Sequence, residues 1–205
     1  MSAFEGATAA PSDGFSEVLP QHSARIYRDF QAGKVIVRDV YDPNASQLVP
    51  NELYNVLYNH FEHFQRLYEH LGMELVFNET GSFFYLSEPN DEEGEEHDEN
   101  AFKVQVALLV IGRYFARSGR DLEYLGRADM GLREEDLAAL ESDEQYNDLL
   151  RTARFKKGFS EAVDYLEKRC FLFRSGARRA FLSSAGMCFL NTLVEGYEQR
   201  QRNDV

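Results

Sequence analysis

Residues 88–100 read EPNDEEGEEHDEN, eight acids in thirteen positions, and they follow directly on the aromatic run FFYLS at 83–87. A packed interior cannot take up that many unpaired carboxylates, because each would lose its hydration with no compensating partner. The run therefore interrupts any single core drawn through the chain, and the apolar patterning has to be read separately on its two sides. It is either a site for a cation or a basic partner, or a solvated spacer holding two folded units apart. A calcium loop of the EF-hand kind needs glycine at its sixth position and glutamate at its twelfth, whereas DEEGEEHDEN carries its glycine at the fourth. The spacer is the better reading, and residues 88–100 are expected to form an acidic linker.

A chain of 205 residues accommodates two units of roughly 100 residues each. Residues 1–20, rich in small side chains, are expected as a flexible tail. A first domain is expected at 21–87, a second at 101–198, and a frayed end at 199–205. The N-terminus has neither the basic start nor the apolar stretch of an export signal. The most apolar run, Val104 to Ile111, is far shorter than the ~20 residues of a membrane span. A soluble, cytoplasmic protein with no membrane partner is expected. Cys170 and Cys188 sit in KRCFLF and GMCFLN, contexts that suit buried free thiols in a reducing compartment, and two cysteines alone lack the further ligands of a zinc site.

Ahead of the acidic run, Ile26, Tyr27 and Phe30 predict a short helix over Ser23 to Gln31, with Gly33 as its stop. KVIVRDVY predicts a strand, and DPNASQLVP a connecting loop. Leu53, Val56, Leu57, His60, Phe61, Phe64, Leu67, Tyr68 and Leu71 recur at steps of three and four, which predicts one amphipathic helix of about twenty residues. MELVF and SFFYL flank NETG, where Asn78 and Gly81 suit left-handed conformations, so a hairpin is expected.

Beyond the run, Ala101 to Arg117 predicts a helix apolar nearly all round, buried on several sides or shared with a partner. GLREEDLAALESDEQYNDLLRTARF predicts one or two polar-faced helices. Gly158 to Arg169 predicts a short helix with Ser160 near its cap. CFLFR and RRAFLS around SGA predict a second hairpin, and SAGMCFLNTLVEGYEQR a closing helix. The expected fold class is α+β, mainly α. Helices followed by a two-stranded wing, occurring twice, is the arrangement of tandem winged-helix domains.

The stretch AGKVIVRDVYDPNASQLVPNELYNVLYNHFEHFQRLYEHLGMELVFNETGSFFYLSE, above all GSFFYL from Gly81, resembles the first winged-helix domain of the MukE/MksE family, closer to the MksE branch. FKVQVALLVIGRYF and AVDYLEKRCFLFRSGARRAFLSSAG follow the same order more loosely, so the resemblance covers residues 23–197. It implies a non-catalytic subunit of a bacterial SMC condensin: a homodimer that binds a kleisin (MksF-like) and, through it, an SMC ATPase (MksB-like). The implied work is chromosome organisation and segregation at the nucleoid, or restriction of plasmids.

The candidate sites are few. His60, His63 and His70 lie at helical spacing, yet no HExxH motif is present, and His60 falls inside the apolar stripe, where a core histidine is expected rather than a ligand. No glycine-framed serine, no phosphate-cradling GxxxxGK[ST] and no cysteine beside a histidine occurs, so neither catalysis nor a cofactor is expected. Charge is more informative. The chain carries −13 overall, yet residues 151–202 hold eleven Lys or Arg against five acids. Within that basic end Arg174, Arg178 and Arg179 surround the hairpin turn, Lys168 and Arg169 end the preceding helix, and Lys156 and Lys157 precede it. These seven are the candidates for weak, sequence-independent DNA contact inside an assembled complex. The alternative is a stand-alone winged-helix transcriptional regulator. That would need a basic recognition helix, whereas GFSEAVDYLEK holds three acids and one lysine, which disfavours the major groove.

Overall fold

The computed structural model describes residues 17–87, 99–176 and 178–203. The fold is α+β and mainly helical, with three small antiparallel sheets. Helix α1 spans Pro20–Gln31, beginning three residues before the expected Ser23 and ending at the expected Gln31, with Ile26 and Phe30 buried. Its proline stands in the first turn, where a missing N–H costs nothing. Gly33, at φ +69°, takes the left-handed turn that ends it.

The segment expected as one strand is two. β1 (Ile36–Val37) and β2 (Asp39–Asp42) are separated at Arg38, and the stretch expected as a loop contains β3 (Gln47–Pro50). β2 and β3 form a hairpin in which Val40 faces Val49. Its turn is built by Asp42, whose Oδ1 accepts from the Asn44 and Ala45 N–H groups, with Ser46 left-handed at φ +51°. Asp-Pro-Asn is a turn signature; flanked by polar residues, it masked a strand that is almost wholly exposed.

The long amphipathic helix is also divided. α2 (Glu52–Asn59) and α3 (Phe61–His70) meet at His60, whose φ −123° and ψ 34° leave the helical region. Asn59 and His60 are both weak helix formers. The corner lets Leu53, Tyr54 and Leu57 from α2 and Phe64 and Tyr68 from α3 enter one cluster with Ile26 and Phe30. Asn51 caps α2 by accepting from Leu53 N–H, and its amide donates to the Val37 carbonyl, so the helix start is tied to β1.

β4 (Glu74–Asn78) and β5 (Phe83–Ser87) form the expected hairpin, and β1 adds to β5, giving the order β1-β5-β4. The turn differs from expectation. Asn78 stays in the strand and accepts the Gly81 N–H at 2.8 Å, while the left-handed residue is Ser82, at φ +49°.

After residue 98 the chain enters α4 (Glu99–Arg117), then a short 3-10 helix (Leu122–Gly126), α5 (Glu134–Ser142), α6 (Glu144–Thr152), α7 (Phe159–Lys168), β6 (Leu172–Arg174), β7 (Ala180–Leu182) and α8 (Ser184–Asn203). Two boundaries move. Glu99 and Asn100, expected in the linker, open α4, and the end expected to fray continues α8 to Asn203. α7 is capped by Asn147, whose side chain accepts the Phe159 N–H, and not by Ser160. Leu132 bridges Ala180 through paired backbone hydrogen bonds of 2.8 and 3.0 Å. A short upstream segment thus pairs with the second hairpin strand in both halves: β1 with β5, Leu132 with β7.

α4 is enclosed on most sides, with Val104, Ala107, Leu108, Val110, Ile111 and Phe115 buried and Phe102 and Leu109 exposed. Its cluster is not confined to residues after 98. Val35, Val37 and Phe83 belong to it, and the Phe83 ring packs against Phe189 of α8 at 5.8 Å. The expected linker at 88–98 lies outside the described residues. The two stretches it joins are in direct contact, since Phe83 and Val37 present apolar faces that burial against α8 and α4 removes from water.

Candidate nucleic-acid interface

The seven basic candidates fall into three groups. Lys156 and Lys157, in the turn before α7, and Lys168, in its last turn, are exposed. Arg169 is instead part of the packing. Its guanidinium stacks 3.6 Å over the Tyr165 ring and donates to Asn100 Oδ1 at 3.4 Å, while its carbonyl accepts the Val35 N–H. Its Nε is buried beside Gly33 with no hydrogen-bond partner among the described residues. Tyr165 donates its hydroxyl to the same Asn100 oxygen at 2.7 Å. This cluster joins α4, α7 and the turn after α1, so Arg169 is held by both halves of the chain.

The third group is the hairpin itself. Arg174, at the end of β6, forms ion pairs with Asp164 and Glu167 of α7. Arg178 pairs with Glu134, the first residue of α5, at 3.3 Å, and Arg179 donates to the Asp129 carbonyl at 3.2 Å. The Asp129 carboxyl is held below the usual carboxylate range, first by its hydrogen bonds from Arg127 and in smaller part by Arg179. The hairpin is anchored on the other side by Tyr41 of β2, whose phenol oxygen lies 2.8 Å from Ser175 Oγ and whose ring meets Phe181 edge-on at 5.3 Å.

Sequence reasoning placed the arginines on the hairpin but not the acids that face them. Asp164 and Glu167 carry a signal in retrospect, because their spacing of three puts both on one face of α7. Glu134 had none. A second surface went unnoticed. Tyr54 and Tyr58, one turn apart on α2, stack at 6.0 Å, and Tyr58 meets Phe77 edge-on. With Arg38 and Asn55 they line an open depression, and Tyr58 remains 57% exposed.

A separate buried network supports the second half. Asp136 accepts from both terminal guanidinium nitrogens of Arg120 (2.9 and 2.7 Å), from Tyr114 OH (3.0 Å) and from the Arg133 N–H (2.9 Å). Burial alone would raise the Asp136 pKa, but these donors together outweigh it and hold the carboxyl below its ordinary range. Elsewhere, burial pushes both thiols up, Cys170 and Cys188.

Among the described residues no three His, Cys, Asp or Glu side chains cluster as metal ligands would, and no helix is long and apolar enough to cross a membrane. The fold and this surface define a mainly helical protein with an ion-paired basic hairpin and an open aromatic depression. The chain belongs to the MksE family: the family model for condensin complex protein MksE matches residues 21–194. No curated protein matches the sequence.

Proposed function

We propose that this protein is the non-catalytic, kleisin-binding subunit of an SMC condensin and works as a homodimer of tandem winged-helix units. Its kleisin is MksF-like, and the SMC ATPase it reaches through that kleisin is MksB-like. The task is chromosome organisation and segregation at the nucleoid, or plasmid restriction. The observation that carries this is the family match over residues 21–194, which takes in all three hairpins and all eight α-helices of the described residues, save Pro20 at the start of α1 and the last nine residues of α8. The repeated pairing of a short segment onto each hairpin supports the tandem arrangement. Exposed apolar side chains on α4 (Phe102, Leu109), on α2 (Tyr58) and on α8 (Tyr197) support association with other proteins.

DNA contact in this reading is weak, independent of sequence and made within the complex by Lys156, Lys157, Lys168 and the hairpin arginines Arg174, Arg178 and Arg179. Arg169 contributes by fixing the end of α7. A regulator's recognition helix would need free cations, whereas α7 commits Asp164 and Glu167 to Arg174. Co-expression with a kleisin-like and an SMC-like protein tests the assignment, and a stoichiometric complex on size exclusion is the expected result. Tight, sequence-specific binding by the isolated chain at physiological salt would sink it. For the DNA surface, four phosphate contacts give a log–log salt slope of about −3.6 for the complex, and charge reversal at Arg174, Arg178 and Arg179 should flatten it.

A further inference from the structure

The charged groups of the second hairpin are spoken for by the chain itself. Arg174 reaches from β6 back onto α7, with Nε 3.4 Å from Glu167 and Nη2 on Asp164, and Arg178 reaches α5 at Glu134. All five side chains stay open to water, from 39% exposed at Glu167 to 76% at Arg178. Exposed pairs of this kind are individually weak and are screened by salt. They neutralise the guanidinium groups without locking them. Carboxylate and phosphate also compete for the same donor fork of an arginine, so a phosphate that arrives at Arg174 has to displace an acid already there.

We propose that Glu134, Asp164 and Glu167 form an intramolecular mask over Arg174 and Arg178, which keeps the hairpin at low affinity for nucleic-acid phosphates until DNA is held beside it. This rests on the DNA-contact reading of the hairpin and adds its regulation. The isolated chain is then a poor DNA binder by construction, and the same surface becomes a phosphate site when an assembly raises the local DNA concentration. Because two arginines are covered, the mask suppresses two phosphate contacts.

The test uses the full-length chain and a random-sequence duplex, followed by fluorescence anisotropy across a salt series. Glu134→Gln, Asp164→Asn and Glu167→Gln together should tighten binding roughly tenfold or more at low salt and steepen the log–log slope by about 1.8, the share of two further phosphates. Adding Arg174→Gln and Arg178→Gln to that variant should return both quantities to wild-type values. Glu69→Gln, Glu74→Gln and Glu79→Gln, exposed acids in the first half, remove the same net charge and should leave the slope unchanged. An equal gain in that control overturns the mask and assigns the effect to bulk charge. No gain in the masked-acid variant also overturns it; if charge reversal at the arginines still weakens DNA binding by the assembled complex, the DNA-contact reading survives, and if it does not, both fall. Should the triple variant fail to fold, Asp164→Asn with Glu167→Gln touches Arg174 alone and should steepen the slope by about 0.9.

Discussion

The phenol oxygen of Tyr41 lies 2.8 Å from the Ser175 hydroxyl, and its ring meets Phe181 edge-on, so the β2–β3 hairpin braces the turn of the second hairpin. The contact joins residues 134 positions apart. Tyr41→Phe removes one half-buried hydrogen bond and should cost about 1 kcal/mol. Tyr41→Ala also removes the ring contact and should cost about 2–3 kcal/mol. Urea denaturation of both, in a double-mutant cycle with Ser175→Ala, separates the two contributions; additive effects would show that the hydroxyls do not interact.

Phe83 should behave as a residue of both halves. It is fully buried, pairs with Val37 across β1 and β5, and packs on Phe189. Phe83→Ala is expected to lose about 3–5 kcal/mol. Because the cluster spans the chain, wild-type unfolding should follow one transition by near-UV and far-UV circular dichroism alike. Two resolved transitions would contradict a shared interior.

Asp136 predicts an acid-sensitive step. Folding lowers its pKa, so its stabilisation is complete at pH values above the ordinary carboxylate range, where the unfolded chain also ionises this group. It is lost as pH falls through the depressed folded value. Asp136→Asn should cost about 2–3 kcal/mol at pH 7, less than a fully buried pair because Arg120 keeps part of its surface in water. The gap between the two urea midpoints should close on titration toward pH 2, and a gap independent of pH would exclude an ionised Asp136.

Two glycines of α8 should respond in opposite directions to alanine. At Gly186 a Cβ would sit 2.2 Å from the Phe171 carbonyl oxygen, which accepts the Ser183 N–H, so Gly186→Ala must displace backbone and should cost about 2 kcal/mol or more. At Gly196 a Cβ meets nothing within 4 Å, and Gly196→Ala should stabilise by up to ~1 kcal/mol through helix propensity. Thermal melts of the two variants against wild type are sufficient.

The second half was the more legible in sequence. α4 begins two residues before the expected Ala101, α7 matches Gly158 to Arg169 within a residue at either end, and the β6–β7 hairpin falls where its turn was expected, because each rests on local periodicity or turn chemistry. What escaped was set by distance. The apolar stripe from Leu53 to Leu71 has an unbroken helical period, and only the need to fold two segments onto one cluster reveals the corner at His60. Leu132 pairs with Ala180, 48 positions further on, and β1 with β5 across a whole helical pair, and no period records such partners. The basic candidates were legible as composition; that Arg174 and Arg178 face acids on α7 and α5, and that Arg169 stacks on Tyr165, depends on where the hairpin lies.

The ring pair of Phe83 and Phe189 has a practical corollary for anyone who would dissect this molecule. A fragment ending near residue 87 would carry Phe83, Tyr85 and Val37 as a bare oily flank, and the complementary fragment would lay open the opposing side of α8. Mixed in solution, two such pieces should seek each other out, so complementation of severed halves becomes a natural assay for the seam.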